Sequence, residues 1–280
     1  QGLISNDTTK VAPGHAVWAA LLTPQGKYLA DFLIVPDGER LLIDVDEALA
    51  GDLIRRLSMY KLRADVTLEP TDLGLARGTG PAPEGAIADP RDPALGWRLY
   101  GAQGGDDGTD FDAIRVAHCI PESLVELIPN ETFILEAGFE RLHGVDFRKG
   151  CYVGQEVTAR MKHKTELRKG LVTLGIDGQA PVGTPILMPD GREAGVLYTQ
   201  SGGRAIAHMR FDRMVEGRVK AGFEMLVSNF SIGILGMLLA VLGYYVVGSV
   251  VTGLTMLISS GAELVIRHGL LPLVSLFVEP

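Results

Sequence analysis

The stretch Lys149-Gly150-Cys151-Tyr152-Val153-Gly154-Gln155-Glu156 gathers an amine, a thiol, a phenol, an amide and a carboxylate in one short run. Its two glycines mark backbone that turns or lies close to something else. After Gly154 the pattern becomes helical. Val157 and Met161 are four apart, and Lys162, His163 and Lys164 supply the positive charge that a helix C-terminus favours. The stretch therefore predicts a loop feeding a short helix. Cys151 falls just before that helix with Lys149 two residues away, and both features lower a thiol pKa. The alternative is a buried Cys151 acting as a small hydrophobe, with glycines that only shape a turn. Spacing leaves both readings open.

Outward from this stretch the chain is long enough, at 280 residues, for about two domains. Its net charge of −8 excludes a nucleic-acid binder that works by bulk positive charge. Two cysteines, Cys119 and Cys151, are too few for a disulfide scaffold and fit a reducing compartment. The chain starts at Gln1 and stops at Pro280 directly after an apolar run, so a fragment is expected. The averages conceal a break. Residues 221–280 hold only Glu224, Glu263, Arg267 and Glu279 as charges, net −2, which leaves −6 for residues 1–220. No charge falls between Met225 and Ala262, a span longer than the ~20 apolar residues that cross a bilayer.

Read in order, residues 16–22, 28–35 and 40–45 predict strands, the first two joined by a turn at Pro24-Gln25-Gly26. Asp31 interrupts the second strand and is expected on its solvent face. Leu49, Leu53 and Leu57 predict a helix over 46–60. A strand is expected over 61–68, a weak one over 85–88 and a short one over 97–100. The acids of 106–110 lack the closing Glu of a calcium loop and read as a solvated turn. Phe111 begins an amphipathic segment ending at Ile120-Pro121, in which Cys119 reads as an inert buried thiol. Short strands over 170–176, 184–188, 193–198 and 205–209 carry the spacing of a small antiparallel barrel. The fold class expected is α+β: a body over 1–164, a β-barrel domain over 165–220 and a hydrophobic helical tail over 221–280. The opening stretch sits where body and barrel meet, a favoured place for a ligand. No phosphate loop, dinucleotide fingerprint, serine-hydrolase elbow or zinc motif occurs, and the six histidines form no metal constellation.

The stretch 149–156 resembles the signature of the YgfZ family, folate-binding proteins that support iron–sulfur enzyme maturation and share a fold with the glycine-cleavage aminomethyltransferases. The resemblance covers about residues 1–220. It takes in Gln1-Gly2-Leu3-Ile4-Ser5-Asn6-Asp7, Leu22-Thr23-Pro24-Gln25-Gly26-Lys27 through Asp31, Ser58-Met59-Tyr60-Lys61-Leu62-Arg63, Arg115 to Glu122, and Phe133 to Glu136. It implies a ring-shaped body around a tetrahydrofolate cavity with the motif loop on its rim. Glu136 would then pair with the pterin's amino and ring NH groups. Tyr152 would stack on its ring, and Arg63 or Arg160 would take the anionic tail. Asn6, Gln155 and Glu156 join these as expected cofactor contacts. Cys151, activated by Lys149, would exchange thiols or handle a one-carbon or sulfur adduct. Two departures stand out. Cys119 replaces the glycine usual before Ile-Pro-Glu, and Ala30-Asp31 replaces a pair of acids. Asp31 remains as the one carboxylate for a transferase to use. The expected partners are a folate and iron–sulfur client or assembly proteins, in the cytoplasm. The alternative is a tetrahydrofolate-dependent aminomethyltransferase.

The tail, from Gly222 to Pro280, resembles a piece of the membrane-embedded IIC domain of mannitol-type phosphotransferase permeases. Residues 231–251 would span a membrane, and 254–271 less cleanly, because Glu263 and Arg267 interrupt it. That resemblance implies inner-membrane association through the tail, and a permease fragment as the third functional class. The union of two unrelated pieces is expected to be chimeric.

Overall fold

The computed structural model describes residues 2–102, 108–164, 166–216 and 251–260. The chain separates into two compact units, Gln1–Gly222 and Phe223–Pro280.

The first unit begins with an antiparallel three-stranded sheet of β1 (Val17–Leu22), β2 (Tyr28–Asp37) and β3 (Arg40–Val45), in the order β1-β2-β3. Every residue of β1 is buried, which explains a continuous apolar run where a half-solvated strand would alternate. One face of the sheet packs Ala19, Leu21, Phe32 and Ile34 against Leu53 of helix α1 (Glu47–Tyr60). Asp46 caps α1 by accepting from the Ala48 N–H. The other face carries Trp18, Ala20 and Leu33 into the main core. Asp31 pairs in register with Ala20 and so belongs to this inner face, only 7% exposed. The solvent-facing position expected for it is therefore wrong. A strand buried on both faces offers no wet side to a charged residue.

Beyond α1 no strand forms over 61–68. Leu62 adopts φ 48°, a left-handed conformation that breaks extended backbone. The chain next forms β4 (Leu75–Gly78), β5 (Ile87–Ala88) and β6 (Trp97–Tyr100), a small antiparallel sheet in the order β4-β6-β5. β4 carries no period-2 signal that would mark it in the sequence. Helix α2 (Phe111–His118) is capped by Asp110 and ends at Cys119 in the left-handed region. A long irregular run follows to Gly154, and its Ile120, Leu127, Ile134, Phe139 and Leu142 complete the main core. Phe139 stacks on Trp18, ring centroids 3.9 Å apart. Helix α3 (Gln155–Lys164) leads into β7 (Lys169–Gly175), β8 (Pro185–Leu187), β9 (Glu193–Ser201) and β10 (Arg204–Arg210). These four form one antiparallel sheet ordered β7-β10-β9-β8, and α4 (Phe211–Glu216) closes the described part of the unit.

An ion cluster with Arg115 and Glu126 buried at its centre helps tie this last sheet to the rest. Arg115 of α2 donates to Glu126 (2.5 Å), Glu122 (2.6 Å) and Asp112 (2.8 Å), and Glu126 also accepts from the Thr199 hydroxyl on β9 (2.5 Å). The side chain of Glu126 is wholly buried.

In the second unit residues 251–260 are helical. Among the described residues no helix is long and apolar enough to cross a membrane. Residues 231–250 of the first expected spanning segment and 261–271 of the second lie outside the described residues.

Candidate functional site

The motif loop is shaped by hydrogen bonds to the N-terminal segment. Asp146 precedes it, and its carboxylate accepts from the N–H groups of Arg148 (2.6 Å) and Lys149 (3.2 Å), a turn that acidic residues favour. The same carboxylate pairs with Lys10 (2.6 Å). Its bond to Lys10 and the two backbone donors hold it below the usual carboxylate range. The Asp146 N–H donates to the Ser5 carbonyl (3.0 Å), and the Val153 N–H to the Gly2 carbonyl (3.1 Å). The ends of the chain region 2–153 thus meet along this loop.

Lys149 is buried, 8% exposed, and its ammonium donates to the Ile4 carbonyl (2.8 Å) while lying 4.8 Å from the Tyr152 ring centroid. Burial lowers its pKa against attraction from Asp7, Asp146 and Cys151. Tyr152 lies in the main core, and burial raises its phenol pKa. Its hydroxyl has no hydrogen-bond partner among the described residues; the neighbouring Thr158 hydroxyl donates to the Gly154 carbonyl (3.1 Å). Gln155 starts α3, and its side-chain oxygen accepts from the Tyr152 N–H (3.3 Å) while its own N–H bonds back to the Tyr152 carbonyl (3.1 Å). This reciprocal pair closes the loop onto the helix. Gly154 has φ 83°, and a Cβ there would lie 2.7 Å from the Thr23 carbonyl oxygen. The glycine lets α3 start against the β1–β2 turn.

Cys151 is exposed. Of the two readings the spacing allows, the buried small hydrophobe is the one the structure removes. Cys119 is the buried thiol, pushed up to about 11 by burial.

The remaining expected site residues do not gather around the loop. Asp31 accepts from the Trp18 indole (2.8 Å), the Tyr28 hydroxyl (2.7 Å) and the Ser123 hydroxyl (2.7 Å). Burial and the adjacent Asp31 together raise the Tyr28 pKa. Asn6 gives its amide to the Trp18 (2.8 Å) and His143 (2.6 Å) carbonyls and takes the Asp7 N–H (2.8 Å), so it is a structural brace. Glu156 and Arg160 form an exposed pair one turn apart on α3 (3.5 Å), directed to solvent. Arg63 is exposed after α1. Glu136 is buried and faces the barrel sheet, one carboxylate oxygen accepting from His208 (3.2 Å) and lying 4.0 Å from Lys169. Its other oxygen has no hydrogen-bond partner among the described residues. For a tetrahydrofolate, two of the expected contacts keep unused polar capacity: the free oxygen of Glu136 and the orphaned hydroxyl of Tyr152. Ala137, the neighbour of Glu136, shares the core cluster of Tyr152.

Sequence reasoning missed Asp146, although an Asp two residues before Arg148 is a recognisable turn signal. It also missed Ser5, whose hydroxyl donates to the Gly144 carbonyl (2.6 Å) and accepts the Ala20 N–H (2.8 Å). The contact with Gly144 spans most of the chain region and leaves no local pattern.

The fold is aminomethyltransferase-like. The glycine cleavage system aminomethyltransferase T of Bartonella henselae superposes with a TM-score of 0.59 over 75% of this chain and 72% of that one, at 14% sequence identity. That likeness defines the fold alone. A family model for the CAF17 C-terminal β-barrel domain matches residues 168–228. In sequence the chain is similar to the mitochondrial iron–sulfur cluster assembly factor IBA57 homolog of Mycosarcoma maydis, 34% identical over 206 residues. The match takes in 62% of this chain and 51% of the relative, so the chain spans about half of that protein's length. The relative's name places it in mitochondria, where the sequence reading expects the cytoplasm. A shorter match, 49% identical over 79 residues, joins 28% of the chain to 12% of the mannitol-specific EIICBA component of the phosphotransferase system of Escherichia coli.

Proposed function

We propose that this chain is an accessory factor for the assembly or repair of iron–sulfur proteins, built on a folate-binding body. One contrast carries the choice of an accessory role over a transferase. The thiol of Cys151 stands exposed on a loop braced from behind by buried Lys149, whereas the carboxylate of Asp31 is engaged by three donors inside the core. A carboxylate so engaged is poorly placed to steer a substrate proton. The second acid of a transferase pair is replaced by Ala30, itself buried in the core.

In this reading Cys151 meets the client or a sulfur adduct, and Lys149 fixes the loop that carries it. Tetrahydrofolate, when bound, supplies a one-carbon carrier. Glu136 would accept from its pterin donors through the free carboxylate oxygen, and Tyr152 would offer its hydroxyl. Similarity to the IBA57 assembly factor supports the iron–sulfur assignment, and the aminomethyltransferase-like fold supports the folate.

The deciding experiment expresses the full chain, and its Cys151→Ala variant, in cells lacking their own relative of this factor. Restored activity of an iron–sulfur enzyme by the chain and not by the variant is expected. Equal restoration by both would remove the thiol role. Calorimetry with tetrahydrofolate should show binding that Glu136→Ala weakens; absence of any heat would remove the folate. A one-carbon transfer assay with glycine-cleavage partners should give no product above background, and turnover would restore the transferase reading. The permease-like tail is a separate matter, and membrane fractionation of the full chain tests the expected inner-membrane association.

A further inference from the structure

The end of α1 and the residues after it form an exposed knuckle of mixed apolar and basic character. Met59, Tyr60, Leu62 and Val66 are 69, 53, 84 and 50% exposed. Single exposed apolar side chains are ordinary, but a run of them in one short stretch marks an interaction surface. The most exposed of them, Leu62, is also the one held at φ 48°. A branched side chain in that region is strained, and strain at a surface position favours a role over packing. Basic residues cluster here as well: Arg55, Arg56, Lys61 and Arg63 are the charged residues between Leu53 and Ala64, bracketed by Asp52 and Asp65. Arg55 pairs with Asp52 (2.6 Å) and Lys61 donates to the Val66 carbonyl (2.7 Å). Arg56 and Arg63 have no ion-pair partner among the described residues.

We propose that this knuckle docks an acidic iron–sulfur protein. The protruding apolar side chains enter a recess on that partner, and the unpaired arginines meet its carboxylates. Tyr, Met and Arg are the side chains that concentrate binding energy at such contacts. The class of partner rests on the function proposed above; the location and chemistry of the surface do not. A protein fits better than an anionic bilayer because exposed acids, Asp52 on one side and Asp65, Glu69 and Asp72 on the other, flank the basic stretch in sequence. A continuous negative surface would repel those acids, whereas a folded partner can oppose them with its own cations.

The test uses the purified full chain and an acidic plant-type [2Fe–2S] ferredoxin as probe, with affinity measured at low and at elevated salt. The chain is expected to bind at low salt and to weaken as salt rises. Leu62→Gly removes the apolar anchor while relieving the positive φ. It should therefore keep or raise the thermal midpoint and yet lose about tenfold in affinity. Arg56→Glu should weaken binding and flatten its salt dependence. Wild-type affinity in Leu62→Gly would overturn the proposal. So would failure of the probe to bind at low salt, binding to phosphatidylserine vesicles in place of the probe when both are assayed, or self-association that the two substitutions abolish. The function proposed above fails differently: the unaltered chain would then not restore an iron–sulfur enzyme in cells, whatever the knuckle binds.

Discussion

At Cys151 and Cys119 one chain holds two thiols in opposite settings, and they should react accordingly. Iodoacetamide at mildly alkaline pH should modify Cys151 and spare Cys119, with the second adduct appearing only after denaturation; peptide mass spectrometry reads this directly. Burial withholds Cys119 from reagent and raises its pKa, so that neither access nor thiolate is available. Asp146 makes a pH prediction. Its folded pKa lies below the ordinary value of 3.8, so its stabilisation is present above that value and is lost as pH falls through the folded one. Acid titration of the unfolding midpoint should fall less steeply for Asp146→Asn than for the parent chain. Asp31→Ala should be severe, because it leaves the Trp18, Tyr28 and Ser123 donors without their acceptor. Each stranded donor costs about 1–3 kcal/mol, and chemical denaturation should register the sum as a large fraction of the fold's stability.

At the scale of elements the two motif glycines separate. Gly154 stands at φ 83° with the Thr23 carbonyl where a Cβ would go, whereas a Cβ at Gly150 meets nothing within 4 Å. Gly154→Ala should cost about 1–3 kcal/mol and displace α3 from the β1–β2 turn. Gly150→Ala should stay within about 0.5 kcal/mol of the parent. Thermal unfolding of the pair distinguishes a glycine needed for close approach from one that is merely tolerated. The loop is otherwise held by backbone carbonyls and the Lys10 side chain of the N-terminal segment and by the Gln155 side chain of α3. It is thus a braced element whose exposed thiol keeps a fixed place.

Across the whole first unit, the Arg115–Glu126–Thr199 cluster joins α2, the irregular core segment and the barrel sheet. Glu126→Ala leaves a buried guanidinium without its closest counter-ion. Leaving a buried charge wholly unpaired costs about 3–5 kcal/mol; Glu122 and Asp112 still face Arg115, so the loss here falls below that. Hydrogen exchange should then rise in β9 and β10 before it rises in β1 and β2, because the cluster is one of the contacts that hold the last sheet to α2 and the irregular segment, beside the packing of Val116 on Ile206.

What the sequence determined by itself was whatever local pattern can specify. The apolar runs around Trp18 and Phe32, the Asp46 cap with its leucine stripe, the turn residues between the barrel strands, and the loop-to-helix switch at Gly154 all announce themselves within a few residues. The 149–156 stretch was legible for the same reason: its reactive groups are adjacent. Only tertiary structure decided which of those groups are buried and which are exposed. The sequence left Cys151 between surface and core, and the long-range bonds of Lys149 to Ile4 and of Val153 to Gly2 resolved it. The sequence put Asp31 in water, and a strand covered on both faces put it inside. Glu136, Glu156, Arg160, Arg63 and Asn6 could be named as polar residues of the right kind. The directions of Glu136 and Asn6 depend on partners tens of residues or more away, His208 for Glu136 and His143 for Asn6. Hydrogen bonds that close such distances follow from packing of the whole unit, which no window of sequence contains.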